Sequence, residues 1–260
     1  MSERQRWTTV VRPATSSPRG RVVVLPHAGS GPNTLLPLLR RLPHDTEVLG
    51  VTLPGRERRF GESCVGAADD PDSVLRAVLA ELRAAAPLRP TVLFGHSMGA
   101  VMAATLAVEA PELGQGLVLS AYPGDPRSAE HSGEWTDAEL LDVVRRGGGT
   151  AEEALADAAV QEHVLQVMRC DLTLERHFAE RIAAERLPVA PTVLGGRDDL
   201  LVSPRELAGW AARAPAGAQE RLFPGGHFYL LEQANLDVVA AEIAAACHVR
   251  TGGGGATARR

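Results

Sequence analysis

The chain has 260 residues, of which 45% are hydrophobic and 23% are charged. This composition is typical of a folded globular protein and excludes a disordered or fibrous chain. The formal net charge of −5 disfavours general nucleic-acid binding. All 27 residues counted as Lys plus Arg are arginines, so lysine-dependent sites such as a Walker A phosphate loop or a Schiff base are also excluded.

The cysteines and the start of the chain bear on localisation. Cys64, Cys170 and Cys247 are widely spaced and form no CxxC pair, so we expect reduced thiols rather than a disulfide framework or a zinc site. Residues 1–7 are polar and lack the apolar stretch of a signal peptide. The longest mostly apolar run, residues 98–108, is shorter than the about 20 residues that span a bilayer. We therefore expect a cytoplasmic protein without membrane association.

Short apolar runs alternate along the chain with longer amphipathic segments. Residues 7–12 predict an antiparallel edge strand, and Val- and Leu-rich runs predict buried strands at 21–25, 47–53, 91–94, 117–120 and 191–194, with a weaker one at 220–223. Helices are predicted at 73–86, 99–110, 204–214 and 235–249. This alternation predicts an α/β fold with a mainly parallel sheet between helices, and ligands bind at the edge where its strands end.

One segment interrupts the alternation. Residues 125–186 contain no strand pattern but carry charged amphipathic helical stretches, notably at 136–145 and 152–178. An insertion of this size between two core strands predicts a lid over the strand ends. We therefore expect a single domain over residues 1–250 with this insertion, followed by a disordered glycine-rich tail at 251–260.

The pentapeptide Gly95-His96-Ser97-Met98-Gly99 lies between a predicted strand and a predicted helix. In this context a Gly-x-Ser-x-Gly pattern predicts a nucleophile elbow, which is a tight turn that exposes the serine hydroxyl above the sheet. The following helix N-terminus favours negative charge. Ser97 is therefore the candidate nucleophile, and the alternative is an ordinary tight turn that contains a serine.

A serine hydroxyl needs a general base, and that base is usually a histidine. His227 follows the last predicted strand in a Pro-Gly-Gly-His-Phe loop, from which its imidazole could reach the elbow. His96 is next to Ser97, so its side chain should point elsewhere and have a structural role. The other histidines, apart from His27, lie in polar or helical surroundings and are interpreted as surface residues: His44, His131, His163, His177 and His248.

The third member of such a site is a carboxylate that orients the histidine. Asp199 lies just after a late strand, in a Gly-x-x-Asp-x-x-Val turn, and is the preferred candidate. Its neighbour Asp198 is one alternative. Asp125, which follows the preceding strand, is the other because some proteins of this architecture carry the acid there.

Acyl transfer also needs donors for the developing oxyanion. The backbone N–H of Met98, directly after the nucleophile, is one candidate. The second is the N–H of Ala28 in the loop Pro26-His27-Ala28-Gly29-Ser30-Gly31, where the glycines allow the chain to turn inward. We interpret His27 as a packing residue that shapes this loop.

Together these segments resemble the type II thioesterases, the discrete editing enzymes that accompany polyketide synthases and nonribosomal peptide synthetases. The resemblance covers residues 22–245 and rests on five motifs: LPHAG at 25–29, LPGRERR at 53–59, FGHSMGA at 94–100, GGRDDLLV at 195–202 and FPGGHFYL at 223–230. Family members often have HAGGS where this chain has HAGSG, and their lid often contains an LRG-glycine stretch, of which residues 144–149 look like a hinge-forming variant.

The resemblance implies an α/β-hydrolase fold with Ser97, Asp199 and His227 as the triad and Ala28 and Met98 as the oxyanion hole. It implies hydrolysis of acyl groups from the phosphopantetheine arm of an acyl or peptidyl carrier protein. Because the arm belongs to the carrier, the chain should need no metal or cofactor of its own. We expect a monomer. The alternatives are a serine hydrolase acting on acyl-CoA or oxygen esters, and an acyl-binding module without catalysis.

Carrier docking needs a basic surface, since carrier proteins are usually acidic and this chain is net negative. Arg56, Arg58 and Arg59 follow a predicted strand at the catalytic edge and are the candidates for contact with the carrier or its phosphate. The alternative interpretation is a solvated loop in which Glu57 pairs with these arginines.

Overall fold

A computed structural model of the chain describes residues 6–85, 90–125, 135–147, 155–214 and 217–247. Its centre is a seven-stranded sheet in the order β1-β3-β2-β4-β5-β6-β7, in which β1 pairs antiparallel with β3 and every other neighbouring pair is parallel. The prediction of a mainly parallel sheet with an antiparallel edge strand is therefore confirmed. The strands are β1 (Thr8–Arg12), β2 (Gly20–Leu25), β3 (Thr46–Val51), β4 (Thr91–His96), β5 (Gly116–Ser120), β6 (Thr192–Gly196) and β7 (Gln219–Phe223).

The helices cover both faces of the sheet. Side chains alternate between faces along each strand, so Val23 and Leu25 of β2 face one apolar core while Val22 and Val24 face a second. The helices α3, α4 and α6 pack on the first face, and α1 and α9 pack on the second. The bounds are α1 (Leu36–Leu39), α2 (Val65–Asp69), α3 (Pro71–Ala84), α4 (Met98–Glu109), α5 (Asp137–Gly147), α6 (Ala158–Ile182), α7 (Pro204–Leu207), α8 (Gly209–Arg213) and α9 (Leu236–Ala245).

The helix predicted at 204–214 is divided in two, α7 and α8. Ser203 and Glu206 form a capping box that starts α7. At the division, the backbone of Gly209 approaches that of Gly124. A Cβ added at Gly124 would lie 2.0 Å from Trp210 N. The prediction of one continuous helix was wrong because this packing between distant backbone segments has no local sequence signal.

The insertion is helical in the described residues, as predicted. Helix α6 starts at Ala158 because the Asp157 side chain caps the N–H groups of Ala159 and Val160. Its second half packs on the first core face, while Leu140 of α5 meets the first half of α6 in a smaller apolar cluster. The glycines at 148–149 and the tail at 251–260 lie outside the described residues, and the lid and the single-domain boundary stay predictions. No helix in the described ranges is long and apolar enough to cross a membrane.

Strand β4 and helix α4 meet in a turn that leaves no space for side chains at its two glycines. A Cβ added at Gly95 would lie 1.9 Å from the carbonyl oxygen of Gly99, and one added at Gly99 would lie 1.9 Å from that of Leu25. All of these obstacles are backbone atoms, which cannot rotate away. The glycines therefore allow β2, β4 and α4 to approach one another closely at Ser97.

Gly99→Ala should lower the free energy of unfolding by about 3 kcal/mol or more, since backbone would have to shift to admit the new methyl group. Urea denaturation measures the change. The control is Gly66→Ala on α2, where an added Cβ meets nothing within 4 Å and alanine should stabilise the helix by up to about 1 kcal/mol. Equal stabilities for the two variants would contradict the close approach at the turn.

Candidate active site

Ser97 lies in the turn between β4 and α4 with backbone angles φ 54° and ψ −126°. Positive φ is costly for a residue with a side chain and persists only where the surroundings enforce it. Here the Ser97 N–H donates to Ser120 O at 2.8 Å, and the Ser97 carbonyl accepts from Ala100 N at 2.7 Å. The side chain is partly exposed and lines a cavity at the carboxyl edge of the sheet.

His227 and Asp199 meet across the loops that follow β7 and β6. His227 Nδ1 donates to Asp199 Oδ2 at 2.8 Å, and the two side chains are 4% and 1% exposed. The other carboxylate oxygen, Asp199 Oδ1, accepts from Leu201 N at 2.8 Å and Val202 N at 3.1 Å. Both oxygens are therefore fixed, and the bond at Nδ1 leaves His227 Nε2 as the ring nitrogen available for chemistry.

The two alternative acids lie elsewhere. Asp198 is exposed and accepts a hydrogen bond from Gly225 N at 3.3 Å, which supports the turn. Asp125 is also exposed. Of the three candidate carboxylates, Asp199 is the one that contacts His227.

The loop at residues 27–31 and the start of α4 face the same region. Gly29 has φ 81°, and its N–H donates to Asp171 Oδ2 on α6 at 2.7 Å, which fixes the path of this loop. In the part of the chain that the structure describes, the backbone N–H groups of Ala28 and Met98 have no hydrogen-bond partner. Both donors therefore remain available for a ligand.

His96 and His27 pack beside the candidate base. His96 is fully buried, its Nδ1 lies 2.9 Å from Ser120 Oγ, and its ring centroid is 5.0 Å from that of His227. Burial, followed by the charge on His227, lowers the pKa of His27 to about 3 and that of His96 well below its ordinary value. Both rings are therefore neutral packing groups, as the sequence predicted for them.

The cavity has a volume of about 600 Å³, and the helical insertion supplies part of its apolar wall. Ser97, His227 and Ala28 line it on the sheet side. The insertion contributes Val143, Val144, Val164, Val167, Met168 and Leu172. A serine hydroxyl that faces a cavity with a partly apolar wall is suited to attack on a carbonyl that carries an alkyl chain. Among the described residues, no group of three or more His, Cys, Asp or Glu side chains could hold a metal ion.

Comparison with known proteins decides the family. A model of the thioesterase domain matches residues 20–247. The chain belongs to the thioesterase family. The resemblance to type II thioesterases is thereby confirmed, as is the α/β-hydrolase fold.

Similarity to individual proteins supports the same family. The chain is 32% identical over 249 residues to the probable cadicidin biosynthesis thioesterase of Streptomyces griseus. The matched region covers 94% of this chain and 66% of that relative, just under two thirds of its length. The chain is 29% identical to thioesterase PikA5 of Streptomyces venezuelae, covering 87% and 81% of the two chains. The solved structure of the type II thioesterase BorB from the borrelidin biosynthetic cluster is similar at a TM-score of 0.71 and 30% identity, covering 91% and 97%.

The arginines of the thioesterase's PGRE loop are not arranged as a docking patch. Arg56 is 5% exposed and forms a bidentate ion pair with Asp171 of α6, at 2.5 and 2.7 Å. Arg59 is also 5% exposed and donates to Glu62 Oε2 at 2.9 Å and Thr52 O at 3.1 Å. The docking prediction was wrong for Arg56 and Arg59 because a buried guanidinium must be paired internally. Arg58 is partly buried.

The ion pair between Arg56 and Asp171 joins three segments of the enzyme. Asp171 Oδ2 accepts from both Arg56 and Gly29 N, while Arg56 also donates to Pro54 O at 3.1 and 3.2 Å. Burial lowers the pKa of Arg56, but the neighbouring Asp171 more than reverses this, and the pKa is raised overall. The insertion helix, the PGRE loop and the candidate oxyanion loop are thus held by one carboxylate.

Sequence reasoning missed several residues that line the cavity or bond to a residue that lines it. His163, predicted on the surface, is partly buried, lines the cavity and has its Nε2 2.9 Å from Gly55 O. Asp171 and Glu175 of α6 also went unnoticed. A signal existed, because Asp171 follows Met168 by three positions and precedes Phe178 by seven, which places it on the buried face of the helix.

Asp171→Ala should lower the free energy of unfolding by about 3–5 kcal/mol, because it leaves the buried Arg56 guanidinium without a carboxylate to neutralise its charge. Chemical denaturation measures the loss. The control is Glu112→Ala, which breaks an exposed pair with Arg83 at 2.9 Å and should cost less than about 1 kcal/mol. If Asp171→Ala were as mild as this control, the buried ion pair would not hold the loops together.

Acid should destabilise the enzyme through its buried histidines. The pKa of His27 falls from 6.5 to about 3 on folding, so between these values the unfolded chain binds more protons and stability falls as the pH falls. His27→Gln should flatten the dependence of unfolding free energy on pH between about pH 4 and 6 by about 1.4 kcal/mol per unit. The exposed His44, replaced by Gln, serves as the control and should leave the slope unchanged. An unaltered slope in His27→Gln would show that His27 is already charged.

Proposed function

We propose that the chain is a serine-dependent type II thioesterase that hydrolyses acyl groups from the phosphopantetheine arm of acyl or peptidyl carrier proteins in polyketide or nonribosomal peptide assembly. The observation that carries the proposal is the buried hydrogen bond between His227 Nδ1 and Asp199 Oδ2 beside a cavity that Ser97 also lines. The names of relatives support the biosynthetic setting, since the Streptomyces griseus relative is a probable cadicidin biosynthesis thioesterase and BorB comes from a borrelidin cluster.

In the proposed mechanism, Ser97 Oγ attacks the thioester carbonyl carbon while His227 Nε2 takes the hydroxyl proton. The N–H groups of Ala28 and Met98 stabilise the tetrahedral oxyanion. The carbon–sulfur bond then breaks, and the proton passes from His227 to the departing thiol. Water, deprotonated by His227, attacks the acyl-enzyme and releases the acid with Ser97 regenerated. Asp199 holds the imidazole in place and stabilises its positive charge throughout.

The helical insertion gives the proposed enzyme its acyl chamber. Helices α5 and α6 supply six apolar residues of the cavity wall, so an alkyl chain leaving water would gain about 0.8 kcal/mol per buried CH₂ group. The anchored part of this wall is α6, through Asp171. We propose that the helical insertion acts as the lid that admits the acyl group.

Ser97→Ala should reduce kcat for release of short acyl groups from a carrier by at least about 10³-fold, since the nucleophile is removed. Product acid is quantified after correction for spontaneous thioester hydrolysis. Ser17→Ala is the control and should retain full activity, because Ser17 is exposed and lies far from Ser97 in the sequence. Undiminished turnover in Ser97→Ala would remove the mechanism.

The carrier preference separates this proposal from the other hydrolase reactions. The same acyl group is presented on a carrier, on coenzyme A and as a simple oxygen ester, and kcat/KM is compared. We expect the highest value with the carrier. A higher value with acyl-CoA or the ester would assign the enzyme to a different substrate class, and failure of a fluorophosphonate probe to label Ser97 would favour a binding module without catalysis.

A further inference from the structure

Two polar groups of the cavity take no part in the proposed mechanism. Glu175 projects from α6, and Tyr122 follows β5; both line the cavity that contains Ser97. Tyr122 is 3% exposed, and its hydroxyl lies beside the Glu175 carboxyl group, with which it interacts. The two side chains therefore form one polar cluster in the cavity wall.

Glu175 is an acid without a counter-ion. Burial raises its pKa to about 7, the Tyr122 hydroxyl lowers it and the charge on Asp171 raises it further. No arginine or histidine of the described chain lies within ion-pair distance of Glu175. Arg56, which also lines the cavity, cannot serve because it is already paired with Asp171.

The other charged groups that line the cavity already have partners within the protein. Glu57 accepts from Asn33 N at 2.8 Å, and Arg146 pairs with Asp142 at 2.9 Å. Glu206 accepts from Ser203 in the capping box, and His163 bonds to Gly55 O. Glu175 is set apart among these groups because, within the described residues, its side chain interacts with the uncharged Tyr122 hydroxyl and with no cation.

We propose that Glu175 and Tyr122 form a specificity-determining subsite that binds an ammonium group on the acyl chain of the substrate. The inference rests on the proposed thioesterase function, and it adds the chemical class of the acyl group that the substrate carries. An ammonium group can donate to the Glu175 carboxylate and to the Tyr122 oxygen together. A neutral hydroxyl on the acyl chain would satisfy hydrogen bonding but would leave the carboxylate charge uncompensated, so an amine is the favoured occupant.

The test compares carrier-bound acyl groups that differ in one atom, with an ammonium group in place of a terminal methyl. The pairs are glycyl with propanoyl, β-alanyl with butanoyl, and 6-aminohexanoyl with heptanoyl, so that chain length reports how far the subsite lies from the thioester. For the best-matched length, the wild-type kcat/KM should favour the amine by about tenfold or more, as expected for a charged hydrogen bond.

Glu175→Gln should lower this amine-to-alkyl ratio by about tenfold. The ratio should fall because kcat/KM for the amine substrate falls, while kcat/KM for the alkyl substrate changes little. Tyr122→Phe should lower the ratio by a smaller factor. Glu180→Gln, at an exposed position on the same helix, is the control and should keep the wild-type ratio. The Glu175 variant should fold, because glutamine has nearly the same shape as glutamate and can still bond to the Tyr122 hydroxyl.

An amine-to-alkyl ratio near one in the wild type, or an unchanged ratio in Glu175→Gln, would overturn the subsite. A 3-hydroxypropanoyl substrate preferred as strongly as β-alanyl would also overturn it, because charge would then play no part. Failure of the wild type to hydrolyse any carrier substrate would instead overturn the proposed function, and the subsite with it. The two failures are therefore distinguishable.

Discussion

The close contact of three backbone segments at Ser97 is the constraint on which the site depends. Because Gly95 and Gly99 lack side chains, β4 and α4 approach within distances that a single Cβ would block. This approach holds Ser97 at positive φ, a conformation that costs free energy unless the surroundings fix it. The rest of the sheet supplies those surroundings, and the loops after β6 and β7 then place Asp199 and His227 at the same edge.

Three acidic side chains near the cavity differ in function because their partners differ. Asp199 is satisfied by His227 and two backbone N–H groups, which suits a group that orients a base. Asp171 is neutralised by Arg56 and serves to join the insertion to the loops. Glu175 has no cationic partner among the described residues and faces the cavity, so we expect the substrate to supply one. Burial alone therefore does not determine what a carboxylate does.

The local parts of this structure were predictable, and the long-range contacts were not. Runs of Val and Leu predicted the strands, and the serine pentapeptide predicted its turn, because both depend on neighbouring residues. Arg56 and Asp171 are 115 positions apart in the sequence, and no sequence pattern predicts that they form a pair. Arg56 was therefore wrongly interpreted as a docking residue. The triad geometry was proposed from chain order, and the structure adds the contact between Asp199 and His227.

The most direct measurement of the central claim is rapid-quench mass spectrometry of the enzyme mixed with an acylated carrier. If Ser97 is the nucleophile, a transient species heavier by the mass of the acyl group should form at least as fast as turnover, and peptide mapping should locate the acyl group on Ser97. Hydrolysis without such a species at any time, or an acyl group found on Cys64 or Cys170 instead, would contradict the account.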